Sequence, residues 1–392
     1  MTPGAPIVVV GASLAGLRVV EALRRRGETG SITWIGEEPV APYDRPPLSK
    51  QLLRGEVEPE RVRLASDEAL AALDVELRLG CRAVGLDVTG RTVRLASGET
   101  LPYRALVAAT GARARRLPGT DGLAGVFALR TLDDAMRLRA SLARGPRVAI
   151  VGAGFIGLEV AASCRALGLE VTVVEAARTP LAPLGEVVGE GIAELHRERG
   201  VALHLGASVA RVLGAGAVEA LELTDGSRVP ADVVVAGIGV TPSTDWLEGS
   251  GAALDDGVLC DARGATSAPD VFACGDVARW ENPLLGERRR VEHWSSAAEQ
   301  AGVVAARILE GEATAPLLAL PYFWSDQYDA KLQFVGRARP GDEFVVVEGA
   351  IPARGFVAEY RRAGRLVAAL VVNRPAALVR YRRALRDPAP PA

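Results

Sequence analysis

A strand, a glycine-rich turn, an amphipathic helix and a second strand follow one another near the start of the chain. The run Ile7–Val10 is uniformly apolar and mostly β-branched, which predicts a strand buried on both faces. The segment LRVVEALRRRG places apolar residues three and four positions apart and stops at Gly27, as an amphipathic helix does. The run SITWIG predicts the second strand, and Glu37 follows it.

The same pattern returns further along the chain. Residues 147–151 predict another buried strand, LEVAASCRALG another helix, and LEVTVVE another strand that ends at Glu175. The turns between strand and helix read Gly11-Ala-Ser13-Leu-Ala-Gly16 and Gly152-Ala-Gly154-Phe-Ile-Gly157. A glycine turn that opens a helix, with an acid about 20 residues past the last glycine, is the fingerprint of a dinucleotide-binding unit.

The residues of the first turn each have a physical reason to be there. Gly11 permits the tight turn, and Gly16 lets the helix approach the strand closely, so that the helix N-terminus faces a pyrophosphate. Ser13 replaces the middle glycine, and its small hydroxyl still admits a phosphate. Two complete units in one chain predict two different bound dinucleotides, a flavin and a nicotinamide.

Three further apolar runs support this interpretation. ALVAATG and VVVAGIGVTP are buried strands that end in tight turns, and each is expected to return the chain across a domain boundary. The run PDVFACGDVAR predicts a strand that delivers Asp276 to a turn, where its carboxylate can bond the ribityl hydroxyls of a flavin. The alternative role for Asp276 is a purely turn-forming one after Gly275.

The sequence therefore predicts an α/β fold with two Rossmann-like dinucleotide-binding domains, followed by a C-terminal α+β domain. We assign residues 1–111 and 240–319 to the first dinucleotide-binding domain, residues 112–239 to the second and residues 320–392 to the C-terminal domain. In the last of these, FVAEYRRAGRLVAALVV predicts a β-hairpin that turns at Ala363 and Gly364.

Composition excludes several classes of function. The 392 residues are 49% hydrophobic and 24% charged with a net charge of −2, which is typical of a folded protein and gives no basic field for nucleic acid. No apolar stretch reaches the length of a membrane span, and Met1–Pro6 lacks a basic leader, so we expect a cytoplasmic protein. The four cysteines show no metal-ligand or redox spacing, which predicts inert thiols and no metal site.

Several motifs extend the picture along the whole chain: GASLAG, PYDRPPLSK, AATG, GAGFIGLEVA, GIGVTP, FACGDVA, EHWSSAAEQAG and PYFWSDQYDAKLQFVG. With these motifs the sequence resembles the NADH-dependent, FAD-containing ferredoxin reductases that serve cytochrome P450 and ring-hydroxylating dioxygenase systems. The resemblance implies that the two Rossmann-like domains are of the glutathione-reductase type. PYDRPPLSK and YFWSDQYD are the most specific of them. The related disulfide reductases carry a C-x4-C pair near the first unit, and residues 37–60 contain no cysteine.

The resemblance implies two cofactors, FAD in the first domain (residues 1–111 and 240–319) and NADH in the second (residues 112–239), and a role for individual residues. Glu37 would contact the adenosine ribose of FAD, Arg45 its phosphates, Asp276 the ribityl chain and Trp294 the pyrimidine edge. The implied FAD-binding residues are Gly11, Ser13, Gly16, Glu37, Arg45, Lys50, Thr110, Gly111, Asp276 and Trp294. The implied NAD-binding residues are Gly152, Gly154, Phe155, Ile156, Gly157, Glu159 and Glu175.

Two of these residues are implied to be catalytic. Lys50 is one of only two lysines, the other being Lys331, in a chain with 46 basic residues. We expect Lys50 to pair with Glu159 beside the flavin and the nicotinamide, in a slot too narrow for a guanidinium. Glu175 would accept hydrogen bonds from the adenosine ribose of NADH and repel the 2′-phosphate of NADPH, an expectation that the nearby Arg178 weakens.

The resemblance further implies that electrons pass from NADH through FAD to an acidic [2Fe–2S] ferredoxin. Arg288 to Arg290, Arg361, Arg362 and Arg365 are candidate docking residues, and Trp324 is a candidate aromatic contact; solvated surface and core positions are the alternatives. Other functions stay open: a diaphorase or NADH oxidase, a rubredoxin reductase, and a signalling flavoprotein similar to apoptosis-inducing factor.

Overall fold

The computed structural model describes residues 4–386. Fraying is expected for the tail RDPAPPA, which apart from Arg386 lies outside the described residues. The described chain forms two compact units. Unit 1 comprises residues 4–44, 63–113 and 241–323, and unit 2 comprises residues 45–62, 114–240 and 324–386. The division into FAD-binding, NAD-binding and C-terminal domains remains a proposal beside this division by contacts.

The α-helices of the described chain are α1 (Leu14–Arg25), α2 (Asp67–Ala71), α3 (Leu132–Leu142), α4 (Phe155–Ala166), α5 (Glu186–Glu198), α6 (Trp294–Glu310) and α7 (Pro375–Arg386). Short 3₁₀ turns occur as well, among them Pro46–Ser49 and Gly275–Val277. No helix within residues 4–386 has both the length and the apolar character that crossing a bilayer requires.

The β-strands of the first half of the chain are β1 (Ile7–Val10), β2 (Ile32–Ile35), β3 (Glu76–Arg78), β4 (Ala83–Asp87), β5 (Thr92–Leu95), β6 (Thr100–Pro102), β7 (Ala105–Ala108), β8 (Ala112–Ala114), β9 (Val126–Ala128), β10 (Val148–Val151), β11 (Val171–Glu175) and β12 (Val201–Leu205).

Those of the second half are β13 (Val209–Leu213), β14 (Ala220–Leu223), β15 (Arg228–Pro230), β16 (Val233–Ala236), β17 (Val240–Pro242), β18 (Val258–Cys260), β19 (Val271–Ala273), β20 (Ala278–Asn282), β21 (Glu287–Arg290), β22 (Tyr322–Gln327), β23 (Ala330–Gly336), β24 (Glu343–Ala350), β25 (Gly355–Arg362) and β26 (Arg365–Val372).

Unit 1 is built around a five-stranded sheet in the order β19-β7-β1-β2-β3, and every neighbouring pair is parallel. The strands β1, β2, β7 and β19 are fully buried, and they share one hydrophobic core with residues of α1, α6 and the strands β4, β5 and β6. Helix α1 crosses from β1 to β2 and packs against α6. Because β1, β7 and β19 are parallel, their carboxyl ends lie at one edge of the sheet.

Unit 2 repeats this arrangement with the order β12-β11-β10-β16-β9, again with parallel neighbours throughout. Helix α4 occupies the place that α1 has in unit 1, between the first strand and its parallel neighbour. Each unit also carries a small antiparallel sheet, β4-β5-β6 in unit 1 and β13-β14-β15 in unit 2, which the apolar pattern of the sequence does not predict. The two Rossmann-like folds predicted from the sequence are confirmed.

The last part of the chain forms a five-stranded sheet in the order β22-β23-β26-β25-β24, with α7 following it. The predicted hairpin is confirmed, since β25 and β26 pair antiparallel across a two-residue turn. Ala363 and Gly364 both have positive φ, at 49° and 75°, which is the geometry that lets a two-residue loop follow the twist of its strands. A mixed α+β C-terminal region is therefore present, as predicted.

Candidate active site

The first glycine turn joins β1 to α1 in unit 1. Gly11 has φ of 124°, a conformation that only glycine adopts readily, and its N–H bonds the carbonyl of Ile35 at 2.8 Å. A Cβ on Gly16 would stand 2.0 Å from the carbonyl oxygen of Gly11. Both glycines are therefore required by the contact between helix and strand, as the sequence predicts.

The second glycine turn joins β10 to α4 in unit 2 and has the same geometry. Gly152 has φ of 103° and bonds the carbonyl of Val174 at 2.8 Å, and a Cβ on Gly157 would lie 2.1 Å from the carbonyl oxygen of Gly152. Gly154 differs, because a Cβ there would meet nothing within 4 Å. Its backbone is exposed at the turn. The glycine thus leaves open space over the helix N-terminus.

Both turns fit the pyrophosphate of a dinucleotide. Ser13 is the N-cap of α1 and Gly154 that of α4, and neither provides a side-chain cap to the first-turn N–H groups. Neither helix has an acidic residue in its first turn. The first N–H groups of each helix are therefore available to an anion at the positive end of the helix dipole. Phe155 and Ile156 form the start of α4, and Ile156 is 47% exposed beside this opening.

The two acids predicted to contact ribose differ in their surroundings. Glu175 ends β11, and its two carboxylate oxygens accept hydrogen bonds from Ala153 N at 2.6 Å and Ala177 N at 2.7 Å. Its orientation toward the second glycine turn is thereby fixed. Glu37 is exposed and stands 3.6 Å from Arg82. The N–H of Gly11 bonds the carbonyl of Ile35, as the N–H of Gly152 bonds that of Val174. The residue after Ile35 is Gly36, so Gly36 and not Glu37 corresponds in unit 1 to Glu175 in unit 2.

The implied FAD-binding residues of unit 1 include Asp276, which lies in the 3₁₀ turn after β19 and is partly buried. Gly275, beside it, is held by Gln300 Oε1 at 2.8 Å, and a Cβ there would lie 3.0 Å from the Cβ of Ala15 in the first turn of α1. Asp276 therefore lies close to the first glycine turn, at the same edge of the sheet.

The AATG turn lies at the same sheet edge, after β7. Thr110 Oγ1 donates to the carbonyl of Ser243 at 2.8 Å, and the carbonyl of Gly111 accepts from Ser243 N at 3.0 Å. Trp294 opens α6, is 36% exposed and donates from Nε1 to Asp44 at 2.8 Å. Trp294 is thus a partly exposed side chain at the start of α6 and not part of the hydrophobic core.

The remaining predicted residues lie in unit 2. Arg45 precedes the 3₁₀ turn of PYDRPPLSK and donates to the carbonyl of Arg130. Lys50, at the end of the same turn, is 6% exposed. Its Nζ lies 2.9 Å from Oε1 of Glu159, which is itself 3% exposed in the second turn of α4. The ion pair between Lys50 and Glu159 that the sequence predicts is present and buried.

The carboxylate of Glu159 receives three more hydrogen bonds. Ser49 Oγ donates to Oε2 at 2.6 Å, Ser325 Oγ to Oε1 at 2.8 Å, and Asp326 N to Oε1 at 3.3 Å. An ionised carboxylate has about four lone-pair sites and only accepts. The four donors around Glu159 therefore match the charged form of the group, and a buried pair of this kind is stable because its remaining bonding capacity is used.

Both lysines of the chain approach one further carboxylate. Asp326 Oδ2 is 3.8 Å from Lys50 Nζ, and Oδ1 is 3.7 Å from Lys331 Nζ. The Lys331 side chain is 52% exposed, whereas that of Lys50 is 7% exposed. The two lysines of the sequence therefore lie in one cluster, with the carboxylates of Glu159 and Asp326.

Sequence reasoning identified Lys50 and Glu159 but missed the residues that hold them: Ser49, Ser325, Asp326 and the polar groups behind them. Ser49 adjoins Lys50 in PYDRPPLSK, and Ser325 and Asp326 lie in YFWSDQYD, which is the other highly specific motif. These two segments are far apart in the sequence and come into contact only in the folded chain. The two specific motifs were the only signal in the sequence that could have pointed to these residues.

The four cysteines are free, and three of them are buried. Burial raises the pKa of the Cys164 and Cys274 thiols to about 12, so these groups are inert near neutral pH. Four of the six candidate docking arginines are paired with carboxylates at 2.6–3.1 Å. The pairs are Arg288–Glu281, Arg290–Asp256, Arg361–Glu359 and Arg362–Asp342. Their positive charge is locally balanced.

Comparison with protein families gives two matches. Residues 5–301 match the pyridine nucleotide-disulphide oxidoreductase family, and residues 322–392 match the reductase C-terminal family. The first match covers both glycine turns. The second covers the sheet that supplies Ser325 and Asp326.

Similar proteins match nearly the whole chain. The ferredoxin–NAD(+) reductase component of an anthranilate 1,2-dioxygenase system from Burkholderia cepacia is 43% identical over 94% of this chain and 91% of its own length. Putidaredoxin reductase from Pseudomonas putida is 36% identical over 98% and 92%.

Solved structures agree with these matches. The covalent putidaredoxin reductase–putidaredoxin complex has a TM-score of 0.93 at 34% identity, covering 98% of this chain and 93% of that one. The ferredoxin reductase for the CYP199A2 system of Rhodopseudomonas palustris has a TM-score of 0.93 at 37% identity, covering 97% and 94%. The chain therefore belongs to the pyridine nucleotide-disulphide oxidoreductase family, and its residues 322–392 match the separate reductase C-terminal family.

Proposed function

We propose that the protein is an FAD-containing reductase that passes electrons from NADH to a [2Fe–2S] ferredoxin, which in turn serves a cytochrome P450 or a ring-hydroxylating dioxygenase. The observation that carries the proposal is the pair of glycine turns with matching geometry, each open to a dinucleotide. The names of similar proteins, ferredoxin–NAD(+) reductases and putidaredoxin reductase, support the choice of acceptor.

The assignment of FAD to unit 1 and NADH to unit 2 follows the resemblance and fits the chemistry of each site. In unit 1, Gly11, Ser13 and Gly16 present the N-terminus of α1, and Asp276 and Trp294 flank the same edge. In unit 2, Gly152, Gly154 and Gly157 present the N-terminus of α4. Bound FAD supplies the conversion of one hydride into two single electrons, which no amino-acid side chain can perform.

The chain's own residues bind and orient. Glu175 is already fixed by two backbone N–H groups, so its remaining lone pairs point at a defined place beside the second glycine turn. A ribose diol can donate to that carboxylate, whereas a 2′-phosphate would meet its charge. Lys50 and Glu159 form a charged pair one turn further into α4, where a nicotinamide ring lying against this helix would meet them.

Direct transfer to an external acceptor is favoured by the thiol chemistry. The cysteines are free, and the buried ones have raised pKa values, so they do not offer a dithiol relay. Electrons must then leave to a partner. We infer a cytoplasmic location as well, because that compartment supplies both NADH as the electron donor and oxidised ferredoxin as the acceptor.

The proposal is tested by the reduction of cytochrome c by NADH with and without added [2Fe–2S] ferredoxin. Strong dependence on the ferredoxin is expected. Rapid NADH consumption in air without any protein partner would instead support a diaphorase or oxidase, and stimulation by rubredoxin alone would support a rubredoxin reductase. A protein that binds both dinucleotides yet reduces neither carrier would support a signalling role.

A further inference from the structure

A chain of hydrogen bonds leads from the surface of unit 2 to the carboxylate of Glu159. Tyr328 Oη lies 3.2 Å from Nδ1 of His196, and Nε2 of His196 lies 3.0 Å from Oε1 of Gln327. Gln327 Nε2 then donates to Ser325 Oγ at 3.2 Å, and Ser325 donates to Glu159. His196, Gln327 and Ser325 are fully buried, at 0% exposure, so each polar atom depends on its neighbour in the chain.

The direction of every bond in this chain is fixed by chemistry. A serine hydroxyl has one proton, and Ser325 can donate it to Glu159 only if Gln327 turns its NH₂ group toward the serine oxygen. The amide oxygen of Gln327 then faces His196, so Nε2 of His196 must carry the proton of the neutral ring. Nδ1 is left as an acceptor, and the hydroxyl of Tyr328 satisfies it.

The opposite tautomer would reverse the chain. With the proton on Nδ1, the bare Nε2 would face an amide oxygen 3.0 Å away, and Gln327 would have to flip. Its oxygen would then compete with Glu159 for the single proton of Ser325. Burial supports a neutral ring, since it lowers the pKa of His196 to about 4.

We propose that His196 is a positioning residue for Glu159, and that it acts through Gln327 and Ser325 by holding its ring in the Nε2–H tautomer. The consequence is a carboxylate locked in place for Lys50, although His196 touches neither Lys50 nor Glu159. That the positioning of Glu159 matters for catalysis rests on the proposed function. The hydrogen bonds from His196 to Glu159 do not depend on it.

The first experiment is made on the ¹⁵N-histidine-labelled holoenzyme. The chain has three histidines, so the ring signals are few, and loss of one set in His196→Gln assigns it. At neutral pH the His196 ring is expected to be neutral with its proton on Nε2. A charged ring, or a proton on Nδ1, would overturn the proposal without any variant having to fold.

The second experiment compares His196→Gln with His196→Leu. Glutamine can place an N–H near the position of Nε2, whereas leucine has a similar volume and no donor. The readout is the rate of Lys50 acetylation by acetic anhydride relative to Lys331, followed by mass spectrometry on the holoenzyme. Loosening of Glu159 should free the Lys50 amine, so the ratio is expected to rise at least about threefold in His196→Leu and to stay near the wild-type ratio in His196→Gln.

Three further variants keep the test decisive. Ser325→Ala removes only the last hydroxyl of the chain and should raise the Lys50 ratio as His196→Leu does. His204→Leu and His204→Gln, in β12, are the matched controls and should leave the ratio unchanged. Equal ratios in His196→Gln and His196→Leu, or an unchanged ratio in Ser325→Ala, would contradict the proposal. Neither readout uses NADH or ferredoxin, so a failure here is distinct from a failure of the proposed reductase activity.

Discussion

Lysine occurs twice in this chain, and both side chains approach Asp326. Elsewhere arginine supplies the basic groups. A compact ammonium occupies the buried position beside Glu159. We expect a planar guanidinium to need more space and more acceptors there, so that size as well as charge constrains position 50.

Lys50 and Glu159 should be energetically coupled. Removing one partner leaves the other as a buried, unpaired charge, which costs roughly 3–5 kcal/mol in buried pairs. We expect Lys50→Met and Glu159→Gln each to lower the free energy of unfolding and to slow reduction of the flavin by NADH. In the double variant, the loss of stability and the loss of rate should each be smaller than the sum of the two single-variant losses. Urea unfolding measures the stability, and anaerobic stopped-flow absorbance measures the rate of flavin reduction.

The control is Lys331→Met, which removes the exposed lysine of the same cluster. It should change stability by no more than about 0.5 kcal/mol, as is usual for solvent-exposed pairs. Strict additivity of the Lys50 and Glu159 changes would show that the pair contributes no interaction energy. Lys50→Arg should also be impaired if size is part of the constraint.

Glu175 should determine the preference for NADH. We predict a kcat/KM ratio of NADH over NADPH of at least about tenfold, equivalent to roughly 1.4 kcal/mol. Glu175→Gln should narrow this ratio, because it removes the charge and turns an amide NH₂ toward one of the two backbone N–H groups that now donate to the carboxylate. Steady-state kinetics with both coenzymes is the measurement.

Glu170→Gln is a suitable control for that change, because Glu170 is exposed just ahead of β11. It should leave the coenzyme ratio unaltered. Equal use of NADH and NADPH by the wild-type protein would remove the role assigned to Glu175.

At the scale of single elements, the glycine turns depend on contacts between a helix and its own first strand. A Cβ on Gly16 would collide with the Gly11 carbonyl at 2.0 Å and lie 2.8 Å from Nε1 of Trp34, which itself bonds that carbonyl. Gly16→Ala should therefore displace the start of α1, destabilise unit 1 by roughly 1–3 kcal/mol and reduce its flavin content.

Gly302→Ala is the matched variant, since Gly302 lies inside α6 and a Cβ there meets nothing within 4 Å. Alanine is the better helix former by about 1 kcal/mol, so this change should raise Tm slightly and leave the flavin content intact. Flavin absorbance per protein and thermal unfolding test both variants. A Gly16→Ala protein with full flavin content and unchanged Tm would contradict the packing account.

The elements that the sequence predicts well are those with local causes. The strands β1, β2, β10 and β11 and the helices between them follow from apolar periodicity and from glycine at the turns. The position of Glu37 relative to the first glycine turn does not follow from these patterns. Gly36 is the residue of unit 1 that corresponds to Glu175, and only the hydrogen bond from Gly11 N to the carbonyl of Ile35 shows this.

Polar contacts between residues far apart in the sequence are not predicted by local patterns either. His196 is a polar residue on the buried face of α5, and nothing in its neighbourhood of the sequence points to Gln327, 131 positions away. Pairing of Lys50 with Glu159 was accessible through the resemblance to a family. The serines, the glutamine and the histidine that orient the pair emerge only when the chain is folded.

At the scale of the whole molecule, one buried histidine and one partly buried histidine make stability depend on pH. Burial lowers the pKa of His196 in unit 2 and of His293 in unit 1 to about 4, from an ordinary value of 6.5. Between these values the unfolded chain binds protons that the folded chain does not. The free energy of unfolding should therefore fall as pH falls from about 6.5 to about 4, by up to about 1.4 kcal/mol per pH unit for each histidine.

Urea unfolding at several pH values across that window measures the slope. His293→Gln should remove the contribution of unit 1, and His196→Gln that of unit 2. A stability that rises on acidification, or slopes that neither substitution changes, would show that these rings are already protonated in the folded state.

We propose that electrons from NADH leave this protein one at a time to a [2Fe–2S] ferredoxin. The most direct measurement is an anaerobic titration of the holoenzyme and an excess of oxidised ferredoxin with NADH, with the iron–sulfur absorbance as the readout. Two ferredoxins should be reduced for each NADH consumed, because one hydride carries two electrons and each cluster accepts one. NADH consumption that leaves every ferredoxin tested oxidised, while oxygen or a quinone restores turnover, would contradict the account.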